Sequence, residues 1–167
     1  MSILVLKIRE GCEEPYVEFH VDGEDLGARI MAAFGSEGFD DGLPWFGGDY
    51  GIEDTVLGGK ALKDGARKTI LLACGCGQSA CSSVQADITV TANTITLSNF
   101  STWRHGHEIF AAVDAVSFDR RQFESAIAQL RREVAEWRPP PPKTMEQARV
   151  LLTLPPTRHA QRPQGDN

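Results

Sequence analysis

Cys74, Cys76 and Cys81 place three soft ligands within eight residues, and Gly75 and Gly77 between them allow a backbone to fold round a metal ion. A tetrahedral zinc site needs a fourth donor, which Cys12, His105 or His107 could supply, and the set Cys74, Cys76, Cys81 and His105 is the candidate centre. The spacing is C-x-C-x₄-C rather than two C-x₂-C pairs, and cysteine is among the most commonly buried small residues, so plain buried thiols are the stronger reading. A redox disulfide is disfavoured, because C-x-C lacks the helix-start C-x-x-C setting that lowers a thiol pKa. Cys74 or Cys76 with His105 or His107 is also the one nucleophile–base pairing on offer, and nothing beside it supplies an orienting third group. Gly47-Gly48 and Gly58-Gly59-Lys60 do not match a phosphate-binding loop. The reading leans away from an enzyme without excluding one, and zinc is the one cofactor in view.

A second set of residues could bind rather than react. Residues 35–59 hold eight glycines, the apolar cluster Leu43-Pro44-Trp45-Phe46, and the carboxylates Asp40, Asp41, Asp49, Glu53 and Asp54. No helical or strand period survives there, so the segment reads as a long irregular connection of the kind that often carries function. The acidic residues do not alternate as calcium ligands of an EF-hand loop do. The net charge is −6, yet residues 1–60 hold 4 basic against 13 acidic side chains, residues 61–137 hold 8 of each, and residues 138–167 hold 5 against 2. Such a field repels nucleic acid and anionic lipid and attracts a basic protein. The expected docking residues are Asp40, Asp41 and Asp49 for steering, with Trp45, Phe46 and Tyr50 as anchors. That suits an immunity or inhibitor type of protein; the plain alternative is that acidic surface serves solubility.

These residues must be positioned by a fold that the apolar pattern outlines. Ile3 to Ile8 has strand length, and Tyr16 to Val21 alternates with Val17, Phe19 and Val21 on one face. Asp22-Gly23 provides a turn, and Leu26, Ile30, Met31 and Phe34 recur at helical intervals before Gly35. Lys68 to Ala73 forms a strand, residues 84–91 and 95–98 form a hairpin turning at Ala92-Asn93, where asparagine would accept a positive φ, and residues 109–118 form one further broken strand. Asp119 caps a helix whose stripe is Phe123, Ile127, Leu130, Val134 and Trp137, with Gln122 placed for a capping box. The fold class is therefore α+β, a mainly antiparallel sheet with a long C-terminal amphipathic helix packed on it and a short N-terminal helix.

Residues 1–137 read as a single domain, 138–143 as a proline-rich spacer in which the tetraproline Pro139 to Pro142 ends the preceding helix, 144–154 as a short helix, and 155–167 as a disordered tail. No apolar run reaches the length of a membrane span and the start does not read as a secretory signal, so a cytoplasmic location is expected. A structural module of a secretion or phage-like assembly, acting through the 144–154 helix, is a third functional class.

Two further strings carry a resemblance. Leu71-Leu72-Ala73-Cys74-Gly75-Cys76-Gly77 with Cys81, followed by Phe118-Asp119-Arg120-Arg121-Gln122-Phe123-Glu124 and Ala126, resemble a widespread group of small bacterial proteins. That group carries an LL-x-C-x-C-G-x-x-G-C turn and an F-D-R-x-Q-Y-E-x-A helix start. Ala80 stands where that pattern usually has glycine, and Phe123 replaces its usual tyrosine. The resemblance spans about residues 68–130 and implies a fold and a bacterial origin, with no established activity attached.

Overall fold

The computed structural model describes residues 1–8, 17–35, 62–73, 83–104 and 106–138. Strands β1 (Leu4–Ile8), β2 (Val17–Val21) and β3 (Glu24–Asp25) form one antiparallel sheet. In its register Leu4, Leu6 and Ile8 face Val21, Phe19 and Val17, so the apolar residues of both long strands share one side. The turn from β2 to β3 has Asp22 at φ 53° and Gly23 at φ 90°, two left-handed residues in succession, which is the hairpin geometry that Asp-Gly favours. The short β3 has no apolar pattern of its own and was not legible in the sequence.

Helix α1 (Leu26–Phe34) follows at once. Asp25 Oδ1 accepts the Ala28 N–H at 3.1 Å as its cap, and Gly35 at φ 72° ends it. Gly27 lies in its first turn: a Cβ there would stand 3.2 Å from Asp25 Oδ1, so glycine leaves room for the capping carboxylate, while 3.7 Å to Leu72 Cδ1 is an ordinary contact.

That sheet contains β4 (Gly65–Ala73), β5 (Ser83–Val90), β6 (Thr94–Arg104), β7 (His107–Phe110) and β8 (Val116–Asp119). Every pairing is antiparallel; β6 is paired on one side along its length by β5, and on the other by β8 at its start and β7 at its end. Two irregularities lie beside one another across it. An extra residue enters β4 between Ile70 and Leu72, and another enters β6 opposite the Gln85–Asp87 stretch of β5. The first lets Leu71 and Leu72 both be buried. The second holds Asn99 at φ 50°, and its Nδ2 donates to Asp87 Oδ2 at 2.8 Å. Bulges on adjacent strands favour a local bend, and these lie where β6 changes partner from β8 to β7.

The β5–β6 hairpin turns at residues 91–93 as expected, but for a different reason. Asn93 has no positive φ; the Thr91 hydroxyl instead accepts the N–H groups of Asn93 at 3.3 Å and Thr94 at 3.0 Å. The strand after the turn runs on through Phe100 to Arg104, farther than residues 95–98, because alternation resumes beyond the bulge with its phase shifted.

Helix α2 (Arg120–Glu136) begins at Asp119, whose Oδ1 accepts the Gln122 N–H at 2.9 Å. It packs on the second sheet and along β1, burying Phe123, Ile127 and Leu130, and the Phe123 ring lies 5.4 Å from that of Phe118. Both sheets and both helices contribute to one apolar core. The two sheets also meet at a backbone bond, Ser2 N–H to Ser117 O at 2.8 Å. No helix among the described residues is long and apolar enough to cross a membrane. The proline-rich spacer from residue 139, the 144–154 helix and the 155–167 tail lie outside the described residues.

Candidate functional site

Asp40, Asp41, Trp45, Phe46, Asp49 and Tyr50 lie outside the described residues, as do Cys12, Cys74, Cys76, Cys81 and His105. His107 is described and opens β7, where it is exposed. The register does fix where the segments bearing the candidate ligands leave the sheet. Ala73 and Ser83 are cross-strand partners, Val84 faces Thr102, and Arg104 faces His107. The strand ends Ala73 and Ser83, which flank residues 74–82, and Arg104 with His107 therefore belong to the same end of the second sheet. Among the described residues no group of three or more His, Cys, Asp or Glu side chains could hold a metal.

Four of the thirteen acidic residues of the first sixty are described. Asp22 Oδ1 accepts the Ile3 N–H at 2.8 Å, and that bond, with one from Ser2, holds its carboxyl below the usual aspartate range. Asp25 caps α1, Glu24 lies 3.5 Å from Arg29, and Glu18 Oε2 meets His20 Nε2 at 3.0 Å on the face of β2 opposite the core. These carboxylates serve local structure.

The structure also assembles a surface that no spacing in the chain announces. Beyond the bulge, Ser101 and Trp103 of β6 point away from the core, on the same side as Glu108 and Phe110 of β7. Lys68 reaches across from β4 to pair with Glu108 Oε1, which also accepts the Ser101 hydroxyl at 2.7 Å. The Lys68 ammonium and, after it, the Ser101 hydroxyl hold the Glu108 carboxyl below its ordinary range. The same ammonium sits 5.9 Å from the centroid of the Phe110 ring. Around this ion pair Trp103 is 60% exposed and Phe110 57%. Glu108 Oε2 and the Trp103 indole N–H have no partner among the described residues.

A third cluster explains the helix-start motif. The Arg120 guanidinium donates to Glu124 Oε1 at 2.8 Å, Asp64 Oδ1 at 2.5 Å and Thr91 O at 2.8 Å, while its backbone N–H donates to Asn93 O at 2.9 Å. Glu124 and Asp64 together raise its pKa. One side chain thus ties α2 to the β5–β6 turn and to the segment before β4, with Phe118 and Phe123 buried beneath. The Phe118–Glu124 string is a device of folding. The chain matches no protein-family model, no curated protein and no solved structure.

Proposed function

We propose that this chain is a non-enzymatic binding protein, of an immunity or inhibitor type, that captures a basic protein through its acidic first third. The observation that carries the reading is the segregation of charge: 13 acidic against 4 basic side chains in residues 1–60, in a chain whose remainder is net positive. Asp22 supports it, since the Ile3 N–H and a side-chain bond from Ser2 favour the charged form of an exposed carboxylate. Asp40, Asp41 and Asp49 steer the partner, and Trp45, Phe46 and Tyr50 anchor it. The test is association kinetics with the basic protein that the immobilised chain retains at low salt. The combined Asp40→Asn, Asp41→Asn and Asp49→Asn variant should lower the on-rate about tenfold at low ionic strength, with the difference closing as salt rises. An on-rate unchanged at low salt would sink the proposal.

A second reading, a zinc- or thiol-dependent centre built from Cys74, Cys76, Cys81 and His105, is favoured by the register that sends both segments off one end of the sheet. Stoichiometric zinc in the purified chain, lost on Cys76→Ser, is the expected result under that reading; metal-free protein retaining its full stability would dismiss it.

A further inference from the structure

The surface at Trp103, Glu108 and Phe110 lies beside a strand edge whose hydrogen-bonding direction can be worked out. Ala111 N–H donates to Phe100 O at 2.8 Å, so Phe100 and Ala111 form a bonded pair of the β6–β7 ladder. Bonded and non-bonded pairs alternate along an antiparallel ladder. Thr102 with Ile109 and Arg104 with His107 are therefore the other bonded pairs, and Ser101 with Phe110 and Trp103 with Glu108 are the non-bonded ones. The N–H and C=O groups of Glu108 and Phe110 consequently point away from β6, and no described strand lies on that side. The same two residues carry the side chains of the exposed patch.

On this face of β4 to β7 the ionisable residues are Lys68, Asp87 and Glu108, two carboxylates to one ammonium. Lys68 and Ser101 both bond Glu108 Oε1, leaving Oε2 without a partner among the described residues, and the cross-strand neighbour Trp103 is exposed. Glu108 and Phe110 already hold one cation, Lys68, which demonstrates the chemistry the patch accepts. A guanidinium fits what remains: a planar cation that can donate to a carboxylate oxygen while stacking on an aromatic face.

We propose that β7 receives an extended segment of a basic protein as an added antiparallel strand, with an arginine opposite Glu108 and an apolar residue opposite Phe110. The added strand bonds the outward backbone groups of Glu108 and Phe110, the arginine meets Glu108 Oε2 and the Trp103 ring, and the apolar residue two positions away covers Phe110. This rests on the reading of a basic partner and places one of its contacts on β7.

The experiment uses the full chain and a fluorescently labelled, end-blocked nonapeptide of alternating threonine and valine, with one arginine and, two residues before it, one leucine. Fluorescence anisotropy should show saturable binding, at least about tenfold weaker when the arginine is replaced by glutamate, because attraction becomes like-charge opposition. Methylating the two peptide nitrogens that face β7 should weaken binding about tenfold, through loss of two backbone bonds. Glu108→Gln and Trp103→Ala should each weaken the arginine peptide about threefold, as exposed ion-pair and cation–π contacts do. Absence of binding, equal binding of the arginine and glutamate peptides, or indifference to both protein substitutions would overturn the proposal. So would a dimer of the chain formed through β7 that the peptide does not displace. The peptide changes leave the protein intact, and none of these outcomes bears on the on-rate test of Asp40, Asp41 and Asp49, so the two ideas can fail separately.

Discussion

Thr69 shows how single side chains set the stability of this fold. It stands on the core face of β4, opposite Ala86 and 5% exposed, and its hydroxyl has no hydrogen-bond partner among the described residues. A buried unpaired hydroxyl costs free energy that a methyl does not, so Thr69→Val should stabilise the protein by about 1 kcal/mol, measured as a rise in the urea midpoint at constant slope. Asn99 is the opposite case. Its φ of 50° suits asparagine or glycine, so Asn99→Val should cost about 1–2 kcal/mol while Asn99→Gly costs much less; equal losses would show that the bulge does not depend on backbone conformation. Asp22 and Glu108 bear on pH. Both carboxyls are held below their ordinary values, so their contribution is complete above the unfolded pKa of about 4 and is lost as pH falls through the folded values. The double variant Asp22→Asn, Glu108→Gln should therefore show a shallower fall of stability below about pH 4 than the parent, read from denaturation midpoints between neutral and acid pH.

At the scale of elements, the start of α2 joins a cap, a guanidinium network and a core ring. Asp119 caps it, Arg120 binds the two neighbouring turns, and Phe123 stacks near Phe118 in the core. Asp119→Ala should cost about 1 kcal/mol as a lost cap, and Phe123→Ala about 3–5 kcal/mol as a lost core ring. Arg120→Ala should raise hydrogen exchange at the 91–94 turn as well as in the first turn of α2, because one guanidinium serves both. Protection lost in the helix alone would contradict that link. The helix itself was plain in the sequence, since its period and cap are local, and so were the first helix and the Asp22-Gly23 turn. The bulges were not, because an extra residue in a strand is visible only against the partner that lacks it.

Across the whole molecule, the acidic residues and the exposed aromatic rings of the described residues belong to different stretches of the chain. The first sixty residues concentrate the carboxylates, whereas the exposed aromatic rings of the described residues, Trp103 and Phe110, sit on the second sheet. A basic partner that uses both would be steered by the first and held by the second, so lowering salt should act chiefly on its association rate and Trp103→Ala chiefly on its dissociation rate.

What the sequence by itself determined is what neighbours along the chain decide: the α+β class, the strands with one apolar face, the capped helices and the uneven spread of charge. Hydrophobic period, turn chemistry and capping act over a few residues, so one chain read alone displays them. Only the tertiary structure decided that the strands divide into two sheets, that Lys68 meets Glu108 forty positions away, and that Glu108 and Phe110 face an edge unpaired by any described strand. Those outcomes depend on which strands pair and in what register, a choice made by the whole core at once and written in no local pattern.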